Sequence, residues 1–98
     1  MYQLLYHSLV LKADFPKISK SDKKRILTTL EKKLMNDPIA FGKPLIGELK
    51  GFYRLRIDPY RVVYKIEKQK VIVFILNIGL RKDMIVYMEA ARRLKLFR

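Results

Sequence analysis

The 98-residue chain has no cysteine, a single histidine, only nine acidic residues, and no long hydrophobic run. Without cysteine there is neither a disulfide framework nor a thiolate metal site, a usage that fits a reducing cytosol. The acidic residues are scattered; Asp37, Asp58, Asp83 and Glu89 have none of the spacings that hold a metal, so no metal and no cofactor is expected. Gly42, Gly47 and Gly51 stand at intervals that exclude a phosphate loop. His7, alone in an opening strand, reads as structural. The N-terminal stretch MYQLLYHSLVLKADF lacks a basic leader, and His7, Ser8 and Lys12 interrupt its apolar run. It reads as neither signal peptide nor membrane span, and Val71–Ile78 is far too short to cross a bilayer. A cytoplasmic protein with no membrane partner is the expectation. No internal repeat, low-complexity tract or linker is visible, so residues 1–98 read as one domain.

What the chain has in excess is positive charge. Twenty-two basic residues give a net charge of +13 and a pI near 10.2. Such a molecule attracts polyanions, and salt sets how fast and how tightly. The hydrophobic fraction of 50% places it among folded proteins. The two kinds of cation are unevenly placed. Seven of the eight arginines follow residue 50, whereas the helical region before it carries mostly lysine. Lysines suit a solvated helix face; clustered arginines in a strand suggest a planar anion held bidentately.

Hydrophobic periodicity divides the chain into elements. Tyr2–Tyr6 reads as a short strand and Val10–Phe15 as a helical turn ended by Pro16. A helix is expected from Ser19 to about Met35, with Ser19 as N-cap and Asp22 completing a weak capping box. Ile26, Leu27, Leu30 and Leu34 would face a core, with Lys23, Lys24, Lys32 and Lys33 outward. Asn36-Asp37-Pro38 stops it. Residues 37–51 hold two prolines and three glycines and read as a long loop. Three strands follow, Phe52–Ile57, Tyr60–Ile66 and Val71–Ile78. The last is apolar at every position but Asn77, as expected of a strand covered on both faces. A closing helix runs from Val86 to about Leu96 with a basic end, Arg92, Arg93, Lys95 and Arg98. The expected fold is α+β: a small antiparallel or mixed sheet of about four strands, with N-terminal helices on one face and a short C-terminal helix.

The stretch FYRLRIDPYRVVYKI carries the functional signal, with Arg54, Arg56 and Arg61 inside eight residues. An even Asp58-Pro59 turn places Ile57 opposite Tyr60, Arg56 opposite Arg61 and Arg54 opposite Val63, so all three arginines share a face. Tyr53, Leu55, Ile57, Tyr60, Val62 and Tyr64 then face the core. Like charges opposed across a hairpin destabilise it, and an anion seated there would relieve the cost. One bulged residue would turn Arg61 away. With Ile66 opposite Val71, Arg81 comes level with Arg56, and Tyr87 at the start of the last helix can reach the same place.

LKGFYRLRIDPYRVVYKI, followed by VIVFILNIGLRKDMIVY, resembles the RelE branch of the RelE/ParE toxin superfamily, as does the L-x-G loop at Leu45–Gly47. The resemblance implies a toxin of a bacterial or archaeal type II toxin–antitoxin pair. Its implied activity is ribosome-dependent, metal-independent cleavage of mRNA in the decoding site. The 2′-OH attacks the adjacent phosphate, leaving a 2′,3′-cyclic phosphate and a free 5′-OH. By the same resemblance, Arg61 holds the scissile phosphate, Arg81 lies near the leaving oxygen, and Tyr87 orients or helps deprotonate the 2′-OH. Arg54 and Arg56 would bind phosphate at positions where family members often carry lysine. The implied partners are an acidic antitoxin and a 70S-type ribosome with its mRNA, rRNA meeting the basic surface; sequence-specific DNA binding by this chain is not expected. Two other readings fit the charge: a ParE-like toxin that inhibits DNA gyrase without cleaving, and a non-catalytic basic RNA-binding module.

Overall fold

The computed structural model describes residues 1–96, the side chains of Asp83 and Leu96 excepted. Five strands form one mixed sheet: β1 (Gln3–Tyr6), β2 (Lys43–Pro44), β3 (Phe52–Ile57), β4 (Tyr60–Glu67) and β5 (Ile72–Leu80). Their order is β1-β5-β4-β3-β2, with β1 parallel to β5 and the other pairs antiparallel. Helices α1 (Lys20–Lys33), α2 (Pro38–Phe41) and α3 (Ile85–Leu96) complete the α+β fold.

The first face of the sheet is covered by α1 as the apolar spacing predicts. Ile26, Leu30 and Leu34 are buried against Leu55, Val62, Tyr64, Val73 and Ile75, with Leu27 packed at the margin. Ser19 caps the helix by accepting from the Asp22 N–H at 3.2 Å. Only half of the capping box forms, because the Asp22 carboxylate accepts the Tyr60 hydroxyl at 2.7 Å instead, which pins the hairpin to the start of α1. Lys33 is half-buried, with its ammonium 5.5 Å from the Phe41 ring. The helical turn at Val10–Asp14 continues through Phe15–Lys17, past Pro16. Proline sits there in a first turn, where its missing N–H costs nothing.

The expected loop at 37–51 has more structure than its prolines and glycines suggest. The Asp37 carboxylate accepts from Ala40 N–H at 3.1 Å and starts α2, with Pro38 in the first turn. Lys43 and Pro44 then pair with Arg54 and Tyr53 as a fifth, edge strand, so the sheet exceeds the four strands expected. Gly42 lets the chain pass close to β4: a Cβ there would collide with the Tyr64 hydroxyl, which donates to the Pro38 carbonyl at 2.6 Å.

The hairpin register is the one counted from an even turn, with Ile57 opposite Tyr60, Arg56 opposite Arg61 and Arg54 opposite Val63. The next register differs from expectation. Val71 takes a left-handed φ of 56° and closes the turn rather than opening the strand, so Glu67 pairs with Ile72 and Ile66 with Val73. A bulge between Tyr64–Ile75 and Val63–Asn77 then adds one residue on β5. The bulge turns Leu76 and Asn77 toward the second face, where Leu76 and Val63 form a smaller core with Phe52, Leu49 and α3 residues Val86 and Ala90. Both faces of β5 are thus covered, as its largely apolar run predicts.

Arg93 departs most from the sequence reading. It belongs to no exposed basic end: it is 6% exposed and pairs bidentately with Asp14, itself 5% exposed, at 2.6 and 2.7 Å. The reason lies in the sheet edge. Pairing to β1 ends with His7 N–H donating to Ile75 carbonyl, and beyond that point β5 has no strand on this edge. Asp14 accepts from Ile78 N–H at 2.9 Å and Arg93 donates to the Leu76 carbonyl at 3.1 Å, so the pair takes over the ladder. Arg92 and Lys95 remain exposed, and Arg98 lies outside the described residues.

Replacing Arg93 by methionine should lower unfolding free energy by about 3–5 kcal/mol, because Asp14 is left buried and unpaired. The double substitution Asp14→Leu with Arg93→Met should stay destabilised by at least about 2 kcal/mol, since two backbone groups of β5 lose their partners. Urea denaturation of the three variants checks both figures. A double variant as stable as the original would show that the pair does not serve the sheet edge.

Candidate active site

The second face of the sheet is divided. Its inner part lies under α3, and its outer part is lined by the arginines that pairing predicts. Arg54 and Arg56 on β3 and Arg61 on β4 point to this face, two rows deep. Gly79 stands opposite Arg61 on β5, and a Cβ there would press on Val86 at 3.2 Å, so the missing side chain lets α3 approach closely. Arg81 follows β5, and its N–H donates to the Pro59 carbonyl at 3.0 Å. That bond puts Arg81 beside the hairpin tip, beyond Arg56 rather than level with it: Arg56 pairs with Arg61 and Arg61 with Gly79, so Arg81 lies two residues past that row. Tyr87, in the first turn of α3, is half-buried against the smaller core.

All five residues line one cleft of about 970 Å³, together with Leu45, Ile46, Leu49, Pro59, Leu80, Lys82 and Met84. The apolar members come from the 45–49 segment, the hairpin tip at Pro59, the end of β5 and the turn into α3. They give an aliphatic wall beside four guanidinium groups, one ammonium and one phenol. Among the described residues no cluster of three or more His, Cys, Asp or Glu side chains is placed to hold a metal ion. His7 lies elsewhere, with its Nδ1 accepting from Leu9 N–H at 2.9 Å and burial pushing its pKa down.

The arginines are not equivalent. Arg56 and Arg81 are exposed and Arg54 is half-buried, while Arg61 is only 6% exposed. Its Nη1 donates to the Asp58 carboxylate and to the Tyr60 carbonyl, both at 2.8 Å. Asp58, with 77% of its side chain exposed, reads in the sequence only as an isolated acid in a turn. Its separation of three residues from Arg61 across the hairpin tip is the signal that identifies it. The hydrogen bond from Arg61 holds the Asp58 carboxyl below the ordinary value of 3.8, and the charges of Arg61, Arg81 and Arg56 reinforce the shift. Three of the arginines therefore act on one carboxylate, an electrostatic mark of their proximity. Chemically, the cleft can bind and orient a phosphodiester and stabilise charge developing on it.

Comparison with known proteins places this geometry in context. Residues 5–85 match the profile of the ParE toxin family of type II toxin–antitoxin systems (parDE). The chain is 33% identical over 72 residues to the mRNA interferase toxin RelE of Escherichia coli, spanning 74% of this chain and 72% of that protein. It is also similar in structure to a chain of a RelBE toxin–antitoxin complex from Mycobacterium tuberculosis. That match has a TM-score of 0.77 at 27% identity and covers 84% of this chain and 93% of the other. A double arginine-to-alanine mutant of Escherichia coli toxin RelE in the free state gives 0.73 at 26% identity, covering 95% and 97%.

Because its folded pKa is depressed, the Asp58–Arg61 pair contributes stability above the ordinary aspartate range and loses it as pH falls through the lower folded value. In a carboxyl-carbon NMR titration, Asp58 should titrate below 3.8, the ordinary value. Arg61→Ala should raise the midpoint toward that value; an unchanged midpoint would mean that another group holds the carboxylate.

Proposed function

The chain belongs to the RelE/ParE superfamily of type II toxin–antitoxin toxins as a RelE-like member, and we propose that it cleaves mRNA on the ribosome. The observation that carries this reading is the convergence of Arg61, Arg81 and Tyr87, flanked by Arg54 and Arg56, on one cleft. Cleavage needs a phosphodiester held in line and its charge stabilised as the 2′-OH attacks and the 5′ oxygen leaves. In this proposal Arg61 grips the scissile phosphate from the floor of the cleft. Arg81, at the hairpin tip, stabilises the departing 5′ oxygen, and Tyr87 orients the 2′-OH or takes part in its deprotonation. Arg54 and Arg56 bind neighbouring phosphates. The products are a 2′,3′-cyclic phosphate and a free 5′-OH.

What the cleft contains supports ribosome dependence in this reading. Ribonucleases that act alone pair an acid and a base suited to proton transfer near neutrality. Here guanidinium groups supply charge and geometry but do not readily release a proton. A decoding site that forces the mRNA into line supplies the missing positioning. The exposed lysines of α1, Lys20, Lys23, Lys24 and Lys32, form a second cationic surface suited to rRNA phosphates.

An acidic antitoxin is the partner such a surface requires, and the RelBE complex among the similar structures supports it. Covering the arginines leaves the Asp14–Arg93 pair intact, whereas displacing α3 with Tyr87 breaks it. The ParE family match keeps one other reading open, gyrase inhibition without nuclease activity; that activity needs no phosphate site, and so leaves the convergence unexplained.

Primer extension on a short mRNA, alone and on programmed ribosomes, tests the proposal. Cleavage should occur only with ribosomes, and Arg81→Ala should reduce it by roughly 10²–10³-fold, the scale of losing one transition-state donor. Absence of cleavage by the unaltered protein, together with inhibition of gyrase supercoiling, would replace the proposal with the ParE-like reading. The salt dependence of binding to single-stranded RNA gives a second check. Replacing both Arg54 and Arg56 by alanine should lower the slope of log K against log salt by about 1.4, two phosphates at about 0.7 each.

A further inference from the structure

The bond between Asp58 and Arg61 has a direction that matters for the site. Asp58 does not line the cleft; it meets Arg61 at the hairpin tip, through Nη1. The Tyr60 carbonyl takes the same nitrogen. Among the described residues Nε and Nη2 of Arg61 donate to no protein group, and Arg61 is nevertheless a cleft residue. Nε and Nη2 form the side-on edge of a guanidinium, the edge that matches two oxygens of one phosphate. We propose that Asp58 is the positioning residue for Arg61: it anchors Nη1 so that the Nε–Nη2 edge stays turned into the cleft.

This rests on the reading of the cleft as an RNA phosphate site. Asp58 has two opposed effects there. Its carboxylate lies among three arginines and weakens their pull on any anion. Solvent exposure of Asp58 screens that penalty, whereas the anchoring acts on a guanidinium with little room of its own, where a misplacement of about 1 Å can cost up to about 10²-fold in rate. The anchoring effect therefore outweighs the repulsion in the chemical step, and the repulsion shows only in binding.

Two substitutions separate the effects. Asp58→Ala removes both anchor and charge; Asp58→Asn keeps an acceptor oxygen and removes the charge alone. On programmed ribosomes Asp58→Ala should lower kcat by about 10- to 100-fold without raising KM. Asp58→Asn should recover kcat to within about threefold, the fold-change of a retained acceptor, with KM at or below that of the unaltered protein. An unchanged kcat in Asp58→Ala, with only KM reduced, would overturn the proposal and leave Asp58 as a repulsive charge.

A readout independent of cleavage is the Arg61 Nε–H signal in ¹⁵N-resolved NMR, followed during titration with inorganic phosphate. It should be sharp and phosphate-responsive in the unaltered protein and in Asp58→Asn, and broadened in Asp58→Ala. Equal line widths in all three would overturn the positioning role whether or not the chain cleaves RNA. A sharp signal that ignores phosphate and also ignores a 2′-deoxy-substituted oligonucleotide would count against the phosphate-site reading instead, leaving the anchoring measured by line width.

Discussion

The arrangement depends on a buried ion pair. Asp14, from the turns before α1, and Arg93, from the last helix, meet at the edge of β5 and satisfy its Leu76 carbonyl and Ile78 N–H. β1 is too short to serve those groups, and unpaired they would each cost about 1–3 kcal/mol. A buried ion pair is often no better than a hydrophobic replacement. Here it also replaces missing strand partners, which no hydrophobic side chain can do. The pair joins the N-terminal segment, strand β5 and the C-terminal helix, and it fixes where α3 lies.

The position of α3 determines the cleft. With Arg93 held at one end, Val86 and Ala90 buried between, and Asn77 donating to the Val86 carbonyl at 2.6 Å, the helix lies along only half of the second face. The other half is left to the arginines. Tyr87 follows Val86 directly, so the bonds that seat Val86 also set the phenol beside the cationic face. The bulge at Leu76–Asn77 is what makes this possible, because it turns both side chains toward α3 and gives the helix its footing.

How much of this can be read from residues alone depends on the range of the interaction. The hairpin was legible because its register follows from one two-residue turn, and the face shared by Arg54, Arg56 and Arg61 follows from that register. The α1 core face was legible because Ile26, Leu30 and Leu34 repeat at helical spacing. What escaped involves partners distant in sequence or an odd residue. The left-handed Val71 and the bulge shift the β4–β5 register, and neither announces itself in an apolar run. Arg93 looks like any other cation in a basic helix until Asp14, 79 positions away, is brought beside it. β2 is two residues long and contains proline, so no periodicity exists to find it.

The opposed pair Arg56 and Arg61 shows how the fold tolerates a concentrated charge. Two like charges facing each other on a hairpin are unfavourable, and burying one of them adds a desolvation cost. The structure separates their circumstances: Arg56 stays in solvent, where screening limits the repulsion, and Arg61 is buried with two oxygen acceptors on one nitrogen. The remaining donors of Arg61 donate to no group of the described protein and are not sealed from solvent, so they stay available to an anion in the cleft. In the proposed reading, a phosphate that takes these donors offsets the desolvation of Arg61 and its repulsion with Arg56 in one contact. On that proposal, phosphate binding would relieve the electrostatic cost at the residue proposed to hold the scissile group.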